Sequence, residues 1–248
     1  KAASLKSKTI RRMKDCLKGI KPYLGNNLIR NITYQDCERW LIGRGKEVKA
    51  SAYRQERQLM IGVLKAAERD GIILDNPATQ LPNKKLPKIV IQVPTHDQFR
   101  SLIKQMRQAD SRGIHGAYLV ELLAYSGMRL NEAINLMWSE IDLDRDCFTV
   151  TGGEYGTKNH DIRTVPLFPA MRELLERIRS DRTEINPDHV SPIKGARTLM
   201  ASAAKKAGIP KFTHHSMRHY FCSNAIEAGI DFKVIAGWLG HKDGGILV

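Results

Sequence analysis

Three stretches near the start of the chain repeat their apolar residues at helical spacing, and each ends on a breaker. Ser7 to Ile20 carries one such face and stops at Gly25-Asn26-Asn27. Thr33 stands three residues ahead of Asp36, a spacing that caps the start of a helix running through Trp40 and Leu41. A third helix is predicted from about Ala50 to Arg69, with Leu59, Val63 and Ala66 on one side, ended by Asp70-Gly71 and Asn76-Pro77. Residues 78–94 then lose the period. Pro82, Pro87 and Pro94 interrupt any helix, and Lys84, Lys85 and Lys88 make the stretch basic. The break divides the chain into a helical domain over 1–83, a linker over 84–94 and a second domain over 95–248.

In the second domain Thr95 predicts the cap of a helix whose Phe99, Leu102 and Ile103 share one face. Gly116 to Tyr125 is largely apolar, as expected of a helix at the centre of a domain. Between Ile141 and Leu167 the character changes: Cys147 to Thr151 is β-rich, Gly152 to Gly156 is a turn, and Ile162 to Val165 is extended again. A helical pattern returns at Pro169 and lasts to Leu239. The fold class expected is mainly α with a small antiparallel β-sheet, a helical domain followed by a mixed α+β domain.

Charge narrows the function. The 248 residues hold 40 Lys and Arg against 26 Asp and Glu, a net +14 that favours a polyanion. Residues 1–88 hold 20 of the basic and 8 of the acidic residues, leaving 20 against 18 for residues 89–248. The first third therefore reads as an electrostatic clamp for nucleic acid and the rest as a balanced globular domain. Cys16, Cys37, Cys147 and Cys222 show no metal-ligand spacing and read as free thiols of a reducing cytosol. No apolar run reaches membrane-spanning length, and no secretory signal opens the chain, so no membrane partner is expected. The chain begins at Lys1 rather than methionine and reads as a piece of a longer one.

Four short motifs carry candidate chemistry. In Ser126-Gly127-Met128-Arg129-Leu130-Asn131-Glu132, a glycine turn places Arg129 at the start of a helix, where backbone N–H groups also favour an anion, and Glu132 lies one turn away to fix its rotamer. Lys158 lies in the predicted hairpin ahead of Arg163-Thr164-Val165-Pro166-Leu167. In His214-His215-Ser216-Met217-Arg218-His219, His215 and Arg218 are three apart and share a helix face, able to grip one phosphate. His241 follows a helix that ends in Gly240. Singly, each has a bland reading as a solvated charge or a cap. Zinc is the rival for His215 and His219, but no HExxH glutamate or third ligand accompanies them, so no metal is expected.

The order of the motifs is more specific than any one of them. SGMRLNE, a hairpin lysine before RTVPL, HxxRH and GWLGH together resemble the pattern of the tyrosine recombinase (phage integrase) family, which type IB topoisomerases partly share. ITYQDCERWL and NPATQLP resemble the helical core-DNA-binding domain of phage integrases, and SEIDLDRDCFTV the first strands of their catalytic domain. The resemblance implies that Arg129 is the first catalytic arginine, Lys158 the hairpin lysine, His215 and Arg218 the HxxR pair, His241 the late His/Trp position, and Glu132 the acidic partner of the first arginine. It implies a site-specific recombinase or integrase of a mobile element that cuts and rejoins strands through a 3′-phosphotyrosyl intermediate, without metal, cofactor or ATP. Duplex DNA, gripped in part by Lys84, Lys85 and Lys88, is the implied partner, with a homotetramer on two duplexes, accessory DNA-bending proteins and a cytoplasmic, nucleoid-associated setting. One departure stands out: residues 242–248 contain no tyrosine. The nucleophile is therefore expected just after Val248, and the stretch itself is expected to bind DNA without cleaving it. Tyr220, inside the HxxRH helix, reads as core packing. Two alternatives stay open: a non-catalytic DNA-binding relative, favoured by the absent tyrosine, and a type IB topoisomerase-like enzyme, disfavoured by the short N-terminal clamp.

Overall fold

The computed structural model describes residues 7–86, 90–110, 112–152, 162–181 and 188–241. The chain forms two compact units, Lys1–Ile89 and Val90–Val248. Among the described residues no helix is long and apolar enough to cross a membrane.

The first unit contains α1 (Ser7–Leu24), α2 (Tyr34–Glu47) and α3 (Ala50–Arg69). The sequence-predicted cap opens α2: Thr33 Oγ1 accepts from the Asp36 N–H at 3.3 Å, and the Asp36 carboxylate accepts from the Thr33 N–H at 2.9 Å. Two otherwise orphaned backbone donors are thereby satisfied. Trp40 and Tyr53 stack with centroids 5.4 Å apart, and the Trp40 indole donates to the Gly19 carbonyl at 3.2 Å, joining all three helices. The α3 face that meets this core differs from the one expected. Tyr53, Glu56, Met60, Leu64 and Ala67 are buried, whereas Val63 is 41% exposed. The difference has a physical cause: a carboxylate occupies the core face, and Arg44 neutralises Glu56 through two bonds of 2.8 and 2.9 Å.

The end of this unit is strapped down. Arg57 Nε donates to the Leu81 carbonyl at 3.1 Å, and Tyr53 Oη donates to the Pro82 carbonyl at 3.2 Å. Lys84, expected as a linker charge for DNA, donates to the Gly45 carbonyl and lies 5.1 Å from the Tyr53 ring centroid. Lys85 is exposed, and Lys88 lies outside the described residues.

The second unit contains α4 (His96–Arg107), α5 (Gly113–Ser126), α6 (Leu130–Ala133), β1 (Ile141–Asp142), β2 (Cys147–Val150), β3 (Arg163–Pro166), α7 (Pro169–Ser180), α8 (Arg197–Ala207), α9 (His214–Glu227) and α10 (Phe232–Leu239). α5 is buried almost all round, as its apolar sequence requires, and α4, α7, α8 and α9 pack against it. The strands form an antiparallel sheet in the order β1-β2-β3, with Ile141 opposite Phe148 and Val150 opposite Arg163. Phe148, Val150 and Val165 point into the core at the two-residue period of a half-buried sheet. The architecture is thus the mainly α fold with a small antiparallel sheet that the sequence predicts. The tip of the expected β2–β3 turn, with Lys158, lies outside the described residues.

Candidate active site

The site begins where α5 stops. Gly127 turns the chain at φ +65°, and a Cβ there would lie 2.5 Å from the Phe221 side chain and 2.9 Å from that of Leu239. Conformation and space both require glycine. The close approach brings the Gly127 carbonyl to Arg218, whose Nη1 donates to it at 2.8 Å. Two residues on, Arg129 meets Glu132: Nη1 donates to Oε1 at 3.0 Å and the Arg129 backbone N–H to Oε2 at 3.0 Å. The i, i+3 partnership expected from the sequence is present. The free helix start expected to welcome an anion is not, because α6 spans four residues and Glu132 takes the Arg129 N–H.

Thr213 caps α9 by accepting from the Ser216 N–H at 3.2 Å, which sets His215 in the first turn and Arg218 one turn later. Arg218 is 4% exposed. Its Nη2 donates to the Leu239 carbonyl at 2.6 Å and to His241 Nε2 at 2.9 Å. α10 closes in a Schellman motif, with His241 N–H on the Ala236 carbonyl at 3.1 Å, Gly240 N–H on the Gly237 carbonyl at 3.0 Å and Gly240 at φ +66°. The carbonyl ends of α5 and α10 thus converge on one guanidinium, where their partial negative charge favours a cation. Arg129 Nη2 joins from the other side, 3.4 Å from the Gly240 carbonyl. His215 stands one turn before Arg218 on α9, near the His219 imidazole and the guanidiniums of Arg218 and Arg129, so it shares the neighbourhood that Arg129, Arg218 and His241 form. His215 and His219 lie edge to face with centroids 4.7 Å apart, but among the described residues no third His, Cys, Asp or Glu joins them as a metal ligand.

The electrostatics follow from burial and crowding. Burial alone would raise the Glu132 carboxyl, but bonds from Arg163, the Arg129 N–H and the Arg129 guanidinium outweigh it and hold it below its usual range. Burial, then repulsion from Arg129 and Arg163, brings Arg218 down to about 10, still protonated at neutral pH. Partial burial and the neighbouring cations hold both His215 and His241 below the ordinary imidazole value. His241 is therefore neutral at pH 7. With Nε2 accepting from Arg218, its proton resides on Nδ1, which leaves Nδ1–H as a donor. Three guanidiniums face one carboxylate, an excess of positive charge suited to a phosphodiester.

The third guanidinium, Arg163, is not among the residues that the motifs select. Its Nη2 lies 2.6 Å from Glu132 Oε2, and its side chain is 9% exposed. A signal existed: the strand period puts Arg163 on the same face as buried Val165, and a buried arginine demands a partner. Tyr220 stacks on Phe99 at 4.8 Å, and its Oη lies 2.7 Å from His96 Nδ1, so it is a packing residue as read from the sequence.

The phage integrase family matches residues 92–247. Tyrosine recombinase XerD of Neisseria meningitidis serogroup B (strain MC58) is 30% identical over 189 residues, covering 71% of this chain and 63% of that protein. Tyrosine recombinase XerA of Pyrococcus furiosus is 30% identical over 175 residues, covering 68% of this chain and 59% of that protein. The aligned part therefore spans about three fifths of these relatives' length. In fold, a lambda integrase dimer bound to a COC′ core site superposes with a TM-score of 0.82 at 18% identity, covering 99% of this chain and 92% of that one. A lambda integrase tetramer bound to a Holliday junction gives 0.81 at 19% identity, covering 100% and 75%.

Proposed function

The chain belongs to the phage integrase family of tyrosine recombinases, and on that premise we propose that it is the DNA-binding and catalytic part of a site-specific recombinase that cuts and rejoins duplex DNA. The observation that carries this reading is the convergence of Arg129, Arg218 and His241 on one partly buried, carboxylate-braced cluster. A phosphodiester resists attack because its charge repels the nucleophile and its alkoxide leaves poorly. In the proposed reaction a tyrosine oxygen bonds to phosphorus, the bond to the 5′-oxygen breaks, and a 3′-phosphotyrosyl link results. Negative charge grows on the non-bridging oxygens, where the guanidinium forks of Arg129 and Arg218 and the Nδ1–H of His241 stabilise it. His215, held neutral, accepts the tyrosine proton, and Lys158 supplies one to the departing 5′-oxygen. A 5′-hydroxyl from a second duplex reverses the step. One ester replaces another, so neither ATP nor a metal is called for.

The first unit takes the role of a core-DNA-binding domain, with residues 84–94 as linker. Lys85 and Lys88 would carry charge to the backbone, while Lys84 anchors the linker's start. The lambda integrase structures hold a dimer on a core site and a tetramer on a Holliday junction, and the proposal extends such an assembly, four copies on two duplexes, to this chain. The cytoplasm, beside the nucleoid, is the corresponding setting. The nucleophile is assigned to sequence beyond Val248, since Tyr220 is committed to packing against Phe99.

A nicked suicide duplex tests the reading. Residues 1–248 should bind it, more weakly as salt rises, and form no covalent adduct. A chain extended through the next tyrosine should form one, and Arg218→Lys in that chain should abolish the adduct while leaving most binding. Loss of binding and cleavage together would make Arg218 an anchor and contradict its catalytic role.

A further inference from the structure

Arg163 reaches three parts of the cluster from a strand that contributes no other residue to it. Its Nη2 donates to Glu132 Oε2 at 2.6 Å, on the carboxylate whose other oxygen holds Arg129. Its Nε donates to the Trp238 carbonyl at 2.5 Å, in the last turn of α10. Its Nη1 lies against Gly240, where an added Cβ would sit 3.2 Å away. These contacts bracket the Trp238–Leu239–Gly240 turn, whose Leu239 carbonyl receives Arg218 and whose next residue, His241, receives the same Nη2. Lys is no substitute for such a bridge, since one ammonium on a flexible stem cannot hold two acceptors in the fixed directions of a planar fork.

We propose that Arg163 is a positioning residue for the phosphate pocket, clamping Glu132 and the end of α10 so that Arg129, Arg218 and His241 present their donors to one phosphate. The proposal rests on the phosphate-pocket reading for its purpose but on geometry alone for its mechanism. Arg163 itself is occupied behind the pocket: two of its donors are spent on Glu132 and Trp238. It acts through two linked consequences. Its fork fixes the α10 turn, which keeps His241 Nε2 on Arg218 and the proton on Nδ1. Its charge adds to those of Arg218 and Arg129 around the His241 ring.

Imidazole NMR of the 248-residue protein separates the two, because nitrogen shifts report tautomer and a pH titration reports charge. Wild type should show His241 as one tautomer, protonated at Nδ1. Arg163→Met, checked for native circular dichroism, should give mixed tautomers and an upward-shifted titration. Arg163→Lys restores the charge without the bridge, so its titration should return toward wild type while the tautomers stay mixed. Arg172→Met, which removes an exposed ion pair to Asp146, controls for general loosening and should change neither. A folded Arg163→Met that keeps the wild-type tautomer overturns the proposal, as does Arg163→Lys restoring both readouts, which would reduce the role to charge. Should Arg163→Met not fold, Arg163→Lys alone decides through its tautomer. Dimethyl phosphate added to the wild type tests the underlying reading separately. It should shift the His215 and His241 signals, and its affinity should fall about tenfold in Arg163→Lys. No response in wild type would sink the phosphate reading while leaving the clamp intact; equal affinity in Arg163→Lys would sink the clamp's purpose.

Discussion

Replacing Glu132 with glutamine removes one charge from the cluster without opening a cavity. The wild-type carboxylate accepts from Arg163 Nη2 at 2.6 Å, from Arg129 Nη1 at 3.0 Å and from the Arg129 N–H at 3.0 Å. Glutamine offers one oxygen to those three donors and turns an amide NH₂ toward a guanidinium. Arg163, its side chain 9% exposed, is too buried for water to replace the lost acceptor. Removing one partner of a buried ion pair costs about 3–5 kcal/mol. At about 2–4 °C per kcal/mol for a domain of this size, the second unit's melting temperature should fall by about 10 °C. The first unit holds no part of this pair and serves as internal control. The same substitution leaves three guanidiniums without a counter-ion, so inorganic phosphate should raise the variant's melting temperature more than it raises the wild type's. Calorimetry with and without phosphate reads both effects. A fall of less than about 2 °C, or equal responses to phosphate, would refute the view that Glu132 neutralises the pocket.

Three further outcomes follow from the same geometry. Gly127 and Gly208 share φ +65°, but only at Gly127 does an added Cβ meet neighbours, so Gly127→Ala should cost about 1–3 kcal/mol more than Gly208→Ala in urea unfolding; equal losses would show that Phe221 and Leu239 yield freely. His214, His215, His219 and His241 all titrate below their ordinary value of 6.5, so the folded state binds fewer protons than the unfolded chain. Stability should be full above that pH and fall as pH drops through the folded values, with Glu132 adding a second loss below its ordinary 4.5; urea midpoints that stay level between pH 7.5 and 5 would contradict this. Thr213→Ala should cost about 1 kcal/mol by uncapping α9, and Thr213→Ser should recover most of it; an unchanged melting temperature in the alanine variant would deny the cap any weight.

What could be read from the sequence was local. Thr33 with Asp36 and Thr95 with the helix behind it announce their caps within four residues, and the unbroken apolar run before Tyr125 announces a central helix. The order of the SGMRLNE, HxxRH and GWLGH motifs selects Arg129, His215, Arg218 and His241 as candidates, and folding supplies the carbonyl-lined neighbourhood they share. The misses all depend on partners distant in sequence. Glu56 sits on the core face of α3 because Arg44 of α2 neutralises it, which displaced the predicted apolar face. The bond of Lys84 to the Gly45 carbonyl and its place over the Tyr53 ring likewise join residues far apart in the chain. Arg163 shares a strand face with buried Val165, which makes its burial legible, but its partners, Glu132 and Trp238, lie on two other elements. No periodicity records a pairing of that kind.

The central claim is that the two arginines and His241 bind a single phosphate, and crystallographic localisation of tungstate, a phosphate-shaped anomalous scatterer, tests it most directly. The account predicts one strong peak in the second unit, with oxyanion oxygens about 3 Å from the guanidiniums of both Arg129 and Arg218 and from His241 Nδ1. Arg218→Lys should weaken that peak, and Arg172→Met should not. Tungstate held elsewhere in the unit, with the Arg129–Arg218–His241 cluster empty under the same conditions, would contradict the account.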